Sequence, residues 1–100
     1  MNVVESLPIR HERSGARGEF VMERDGVRVG ELTYALDGSR MTILHTEVAT
    51  SLRGSGAAGK LLESAVQLAR AENLKIASRC SYASAVFARS PGAYADVLAG

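Results

Sequence analysis

Residues 41–60, MTILHTEVATSLRGSGAAGK, constrain this chain more than any other stretch: an apolar strand leads through a turn almost without side-chain bulk into an amphipathic segment. Met41, Ile43, Leu44 and Val48 fall on both alternating faces, the pattern of an interior strand covered on both sides. The turn follows as Arg53, Gly54, Ser55, Gly56, Ala57, Ala58 and Gly59, with Lys60 opening the apolar helical pattern. Such a turn leaves backbone N–H groups bare at a helix N-terminus, where the helix dipole and the unpaired donors favour an anion. These eight residues are read as a phosphate seat.

Two nucleotide-binding spacings overlap in the turn, and neither is completed. Gly54, Gly59 and Lys60 give G-x-x-x-x-G-K, but Leu61 stands where a triphosphate loop needs a hydroxyl for magnesium. Gly54, Gly56 and Gly59 give G-x-G-x-x-G, but the position about 20 residues on that should hold a ribose-binding acid has Ser78 and Arg79. A dinucleotide fold would also open with a parallel unit. This chain opens with strands joined by tight turns.

A third pattern, Arg53-x-x-Gly56-x-Ala58, resembles the R/Q-x-x-G-x-G/A signature of the GNAT superfamily of acyl-CoA N-acyltransferases. His45-Thr46-Glu47-Val48 before the loop and Cys80-Ser81-Tyr82 after the next strand resemble its minimal GNAT-like subfamily, over residues 15–95. The resemblance implies that the loop amides hold the pyrophosphate of coenzyme A. It also implies that the preceding strand, through Thr46, Glu47 and Val48, holds the pantetheine arm and the acyl group, beside a bulge that splays two parallel strands.

The chain in order supports an α+β fold. A loose end over residues 1–6 and an edge strand over 7–11, tolerant of Pro8, lead to a turn at 13–16. Phe20 and Met22 alternate with Glu19, Val21 and Glu23 in a half-buried strand over 17–24, closed by the hairpin turn Asp25-Gly26. The next strand, 27–36, changes phase at Gly30, which predicts a bulge or bend there. Residues 37–40 turn into the strand 41–48.

Ala58, Leu61, Leu62, Ala65, Val66 and Ala69 recur at helical spacing over 56–72, with Ser55 placed to cap the helix and Asn73 to end it. A short connection returns the strand 74–79 parallel to the central one, as a right-handed crossover requires. A short helix over 81–88 ends before Pro91-Gly92. The expected fold is GNAT-like: a single domain over 1–100, with a mixed, mostly antiparallel sheet and a crossover helix packed on it.

Acyl transfer to an amine needs a polarised carbonyl, a base and a proton for the departing thiolate. Where the superfamily often shows N-x-x-A-x-x-L-Y, this chain has Cys80, Ala83, Val86 and Phe87. Phe87 lacks the hydroxyl that usually supplies the proton, so Cys80 or Tyr82 is expected to replace it; a lone cysteine also reads as a small buried apolar residue. His45, with an ordinary pKa near 6.5, suits the base, and Glu47 shares its face in a regular strand. A histidine satisfied by a neighbour and a surface glutamate are the plainer readings. Arg53 is expected to attract phosphate, and Lys60 either assists it or is solvated.

The function so implied is an acetyl-CoA-dependent N-acetyltransferase, using acetyl-CoA as acyl donor and acting on an amine of a small molecule or of a protein lysine or N-terminus. The chain has little to spare for an acceptor pocket, so an open acceptor site is expected. The alternative is a non-catalytic CoA-binding sensor or interaction module, which shares the phosphate loop and differs in what the His45/Cys80 pair does. A net charge of +1 and 5% aromatic residues disfavour nucleic acid as a partner. No segment reads as a membrane span or leader, so no membrane partner and a cytoplasmic location are expected. A single cysteine and two histidines far apart in sequence give no metal-ligand spacing, so no metal is expected. Oligomeric state is not written in the sequence.

Overall fold

The computed structural model describes residues 7 to 99, so the reading of residues 1–6 lies outside the described residues. Its first four strands, β1 (Ile9–Ser14), β2 (Arg17–Arg24), β3 (Val27–Asp37) and β4 (Arg40–Val48), form an antiparallel meander, and β5 (Lys75–Ser78) pairs parallel to β4. The sheet order is β1-β2-β3-β4-β5. Asp25 and Gly26 both take positive φ, 52° and 79°, the turn whose twist matches paired strands. The first strand runs further than its sequence predicts, through Ser14, because Arg13 and Ser14 pair with Gly18 and Arg17.

The helix α1 (Ala57–Glu72) crosses one face of this sheet, and α2 (Ser81–Arg89) follows β5. Leu61, Leu62, Ala65, Val66 and Ala69 of α1 meet Phe20, Met22, Leu32, Tyr34, Met41, Ile43 and Ile76 in one buried core. Ala83 and Phe87 of α2 join the same core, so both helices share one face; Tyr94 meets Phe87 edge-on at 5.0 Å. Asn73 ends α1 in the left-handed conformation expected of it, at φ 56° and ψ 44°. Residues 97–99, which carry no sequence signal, add a parallel rung at Ile76 and Leu98.

Two bulges shape the sheet. Met22 faces Gly30 while Glu23 faces Arg28, so Val29 is the extra residue beside the expected bend. A glycine fits closely here: a Cβ at Gly30 would lie 3.2 Å from Leu61 Cδ1 and 3.3 Å from Val48 Cγ1, where α1 crosses the strand, and those side chains would have to give by a few tenths of an ångström. The second bulge is at Leu44: Tyr34 faces Ile43 and Thr33 faces His45, with Leu44 between. Leu44 and His45 therefore both turn to the face away from the helices, and Thr46 and Val48 return to the helix side.

This corrects the reading of 41–48 as a strand covered on both sides. Its apolar residues occupy two phases because of the bulge, and among the described residues no helix covers the second face. Over β1–β3 that face is closed by ion pairs, Arg10 with Glu12 and Glu23 and Arg28 with Glu19 and Glu31, beneath which Val21 is fully buried.

Candidate active site

The parallel pairing of β4 with β5 covers only Arg40 to Ile43 against Lys75 to Ser78, and its last bond runs from the Arg79 N–H to the Ile43 carbonyl at 2.8 Å. Beyond it the strands part. A bulge bends its strand and increases local twist, and Leu44 sits at that point, so the edge of β4 from Thr46 to Val48 is left without a strand partner on the β5 side. The bulge that the resemblance implied is thus present.

The turn at the head of this split is built from a short 3-10 turn, Thr50–Leu52, and two glycines with left-handed backbone, Gly54 at φ 79° and Gly56 at φ 91°. Neither would bring a Cβ within 4 Å of anything, so the space before them is open and it is the backbone that demands glycine. The first helical bond runs from the Lys60 N–H to the Gly56 carbonyl at 3.1 Å, which leaves the amides of Ala57, Ala58 and Gly59 ahead of the ladder. Gly56, and not Ser55, occupies the N-cap position, and no side chain caps it. The Ser55 hydroxyl donates back to the Leu52 carbonyl instead, because the left-handed Gly56 turns the chain before the helix begins. The uncapped end is a fit for a pyrophosphate, whose oxygens would take the place a capping side chain leaves.

Cys80 lies across the split at the start of α2. Its sulfur stands 3.5 Å from the Thr46 hydroxyl oxygen, and the residue as a whole is 6% exposed. Burial pushes its pKa up, hydrogen bonding with the Ala83 backbone, the Thr46 side chain and the Tyr82 and Thr46 backbone pulls it down, and the net shift is downward. The cysteine's burial is that of the plainer of the two expected readings, a small residue packed in the core. Ser78 orders the approach by donating to the Cys80 carbonyl at 2.9 Å and accepting from its N–H at 3.2 Å.

A cleft of about 350 Å³ runs along the open edge, lined by His45, Thr46, Glu47, Val48, Arg53, Ala58 and Tyr82. His45 and Glu47 are exposed and 3.4 Å apart, Nε2 to Oε2. Their shared face survives the bulge because the extra residue precedes both. A Cβ at Gly59 would lie 3.6 Å from the Tyr82 hydroxyl, which places that hydroxyl against the first turn of α1. Ala57 is buried and can offer only its amide; Lys60 and Ser55 are half-buried and do not line the cleft. Sequence reasoning missed the partners of Cys80, the Ser78 hydroxyl at its main chain and the Thr46 hydroxyl at its sulfur.

The family described as GCN5-related N-acetyl-transferase matches residues 19–97. Among solved structures, a GCN5-like protein from Staphylococcus aureus is 31% identical, with 91% of this chain and 88% of that one covered and a TM-score of 0.69. An IAA acetyltransferase from Bacillus cereus is 19% identical, over 84% and 75%, with a TM-score of 0.67. A GNAT family acetyltransferase from Elizabethkingia anophelis, solved with acetyl-CoA bound, is 12% identical, over 87% and 75%, with a TM-score of 0.69; these last two show the fold alone. No curated protein matches the sequence. The match across most of the chain, on a sheet split beside an uncapped helix, settles the family: this chain belongs to the GCN5-related N-acetyltransferases.

Proposed function

We propose that the protein is an acetyl-CoA-dependent N-acetyltransferase that acetylates an amine. The observation that carries this reading is convergence: the unpaired β4 edge and the head of α1 meet along one cleft, and the Cys80 thiol lies buried just behind its wall, 3.5 Å from the hydroxyl of Thr46, which lines it. The amides of Ala57, Ala58 and Gly59, with Arg53, would hold the pyrophosphate. The edge from Thr46 to Val48 offers main-chain groups to the pantetheine arm, as an added strand would be held.

In the transfer, the amine nitrogen forms a bond to the acetyl carbonyl carbon and the carbon–sulfur bond of the thioester breaks. The amine's proton passes to His45, with Glu47 steadying the imidazolium. The departing CoA thiolate takes a proton from Cys80 or Tyr82, which is restored from solvent. The Thr46 and Val48 amides, on the β4 edge beyond the split, are the main-chain donors available to stabilise charge on the carbonyl oxygen.

Phe87 favours a second reading, CoA binding without transfer, since its ring sits in the core and has no proton to give. One experiment separates the two. Calorimetry with CoA and acetyl-CoA is followed by thiol release from acetyl-CoA in the presence of a panel of amines and lysine peptides. Binding with turnover supports the transferase, and binding without turnover by any amine supports the second reading. Folded protein that binds neither ligand defeats both.

A further inference from the structure

The helix-free face of the sheet holds a depression of about 410 Å³ across β2 to β5, with Thr42 and Leu44 on its floor and Arg17, Arg40 and Arg79 around it. Arg10, Arg13, Arg28 and Arg70 are each held by a carboxylate. Arg17, Arg40 and Arg79 are exposed, and among the described residues none of their guanidinium groups has an ion pair or a hydrogen-bond partner. Asp37 stands across from Arg40 in the β3–β4 ladder but makes no ion pair with it, so the three guanidinium groups gather with no carboxylate in contact, while the same face supplies glutamates to Arg10 and Arg28. The cluster is therefore better explained by a ligand than by the fold.

Its position joins it to the site already described. Leu44 is the bulged residue and turns to the same face as His45, so the floor of the depression continues into the cleft edge. Arg79 makes the last rung before the strands part and directly precedes Cys80. A donor lying along the β4 edge would leave its acetyl group at the split, and the open way to that point from the helix-free side passes over Thr42 and Leu44.

We infer that the acceptor amine carries an anionic group, a carboxylate or a phosphate, a few bonds from its nitrogen, and that Arg17, Arg40 and Arg79 bind that group. This rests on the transferase reading above and names its substrate class. Guanidinium groups suit both anions because their planar forks meet two oxygens at once. The same anion can belong to a free small molecule or to an acidic residue beside a peptide amine.

The test measures kcat/KM for acetyl-CoA turnover with matched acceptors: phosphoethanolamine against ethanolamine, glycine against glycinamide, and a peptide with Asp in second place against its Asn counterpart. The anionic member of at least one pair should be preferred by about tenfold or more. The advantage in Arg40→Gln and Arg79→Gln should fall by about tenfold to a hundredfold through KM, the range set by a hydrogen bond to a charged group. Arg24→Gln, at the far hairpin, should change nothing. A small-molecule preference without a peptide preference assigns a free metabolite, and the reverse assigns a peptide.

A readout independent of turnover is melting temperature. Inorganic phosphate should raise it in wild-type protein and not in Arg40→Gln, and Arg40→Gln alone should melt no lower than wild type, since a repulsion is removed. Protein that binds CoA yet turns over both members of every pair equally, or gains no stability from phosphate, overturns the anionic acceptor and leaves the transferase reading standing. Protein that binds no CoA overturns the transferase reading and the acceptor class with it.

Discussion

Substituting Gly56 by alanine separates what the loop does for folding from what it does for CoA. Gly56 caps α1 at φ 91° and ψ 5°, a conformation that an L side chain holds at a cost of about 1–2 kcal/mol. Alanine also stiffens the unfolded chain, which returns about 0.4–1 kcal/mol, so the net loss is about 1 kcal/mol. For a domain of this size that lowers the melting temperature by about 4–8 °C. Nothing lies within 4 Å of the added Cβ, so the strain is relieved by rotating the loop peptide, and that rotation re-aims the amides at the head of α1.

Losing one amide-to-phosphate hydrogen bond would weaken CoA about tenfold to a hundredfold. Gly38→Ala is the matched control. It too has positive φ, 59°, and an open Cβ, but it lies in the hairpin between β3 and β4. Both variants should lose similar stability in thermal melts, and only Gly56→Ala should lose CoA affinity by calorimetry. If both melt lower yet bind CoA as wild type does, the head of α1 is not the phosphate seat.

Cys80→Ala should lower acetyl-CoA turnover at least about tenfold with CoA affinity nearly unchanged, while Cys80→Ser keeps partial activity if the thiol is an acid and none if it carries the acetyl group. Thr46→Val should move the thiol's titration to higher pH, read from the pH dependence of alkylation; an unmoved titration would show that the backbone bonds alone hold it down. Leu61→Ala, fully buried under the crossing point with Gly30, should cost about 2–5 kcal/mol in urea unfolding, and a loss well below that range would contradict the packing described. His11, stacked on Phe20 at 4.4 Å and bonded to the Tyr34 hydroxyl at 2.6 Å, has its pKa lowered by burial first and by Arg13 second. The unfolded chain therefore takes up the proton more readily, so stability is full above the ordinary pKa of about 6.5 and declines as pH falls below it. His11→Gln should flatten the change in urea midpoint between about pH 7 and about pH 5.5, and an unaltered slope would refute the assignment.

The elements from β2 to α2 were legible from periodicity within a residue or two, because alternation marks β2 and β3 and the spacing of Leu61, Leu62, Ala65, Val66 and Ala69 marks α1, whereas the exposed β1 had no such pattern to show its end at Ser14. Arg53 and the glycines were legible as a loop because only glycine tolerates its backbone. Ser55 misled because its residue type suits a cap, and what decided the cap was the backbone angle of the next residue. The meeting of Thr46 with Cys80 and of Arg17 with Arg40 and Arg79 depends on strand order and on which residue is bulged, neither of which leaves a local pattern.

The Leu44 bulge is where sequence, fold and chemistry can be tested together by deleting one residue. In β4 the main-chain groups of Ile43 point toward β5, as its bond from Arg79 shows, and the bulge comes directly afterwards. Without Leu44, His45 would follow Ile43 in regular alternation, still outward, and Thr46 and Val48 would still face α1, so the core contacts are kept. What changes is the bend. An unbulged β4 can continue its parallel ladder past Ser78, pairing the edge that now lines the cleft. The deletion should therefore fold with near wild-type stability in urea, protect the Thr46 and Val48 amides from hydrogen exchange, and lose acetyl-CoA turnover. If it folds and still turns over acetyl-CoA, the split is not what admits the donor. If its Thr46 and Val48 amides exchange as fast as in wild type, the bulge is not what holds the strands apart.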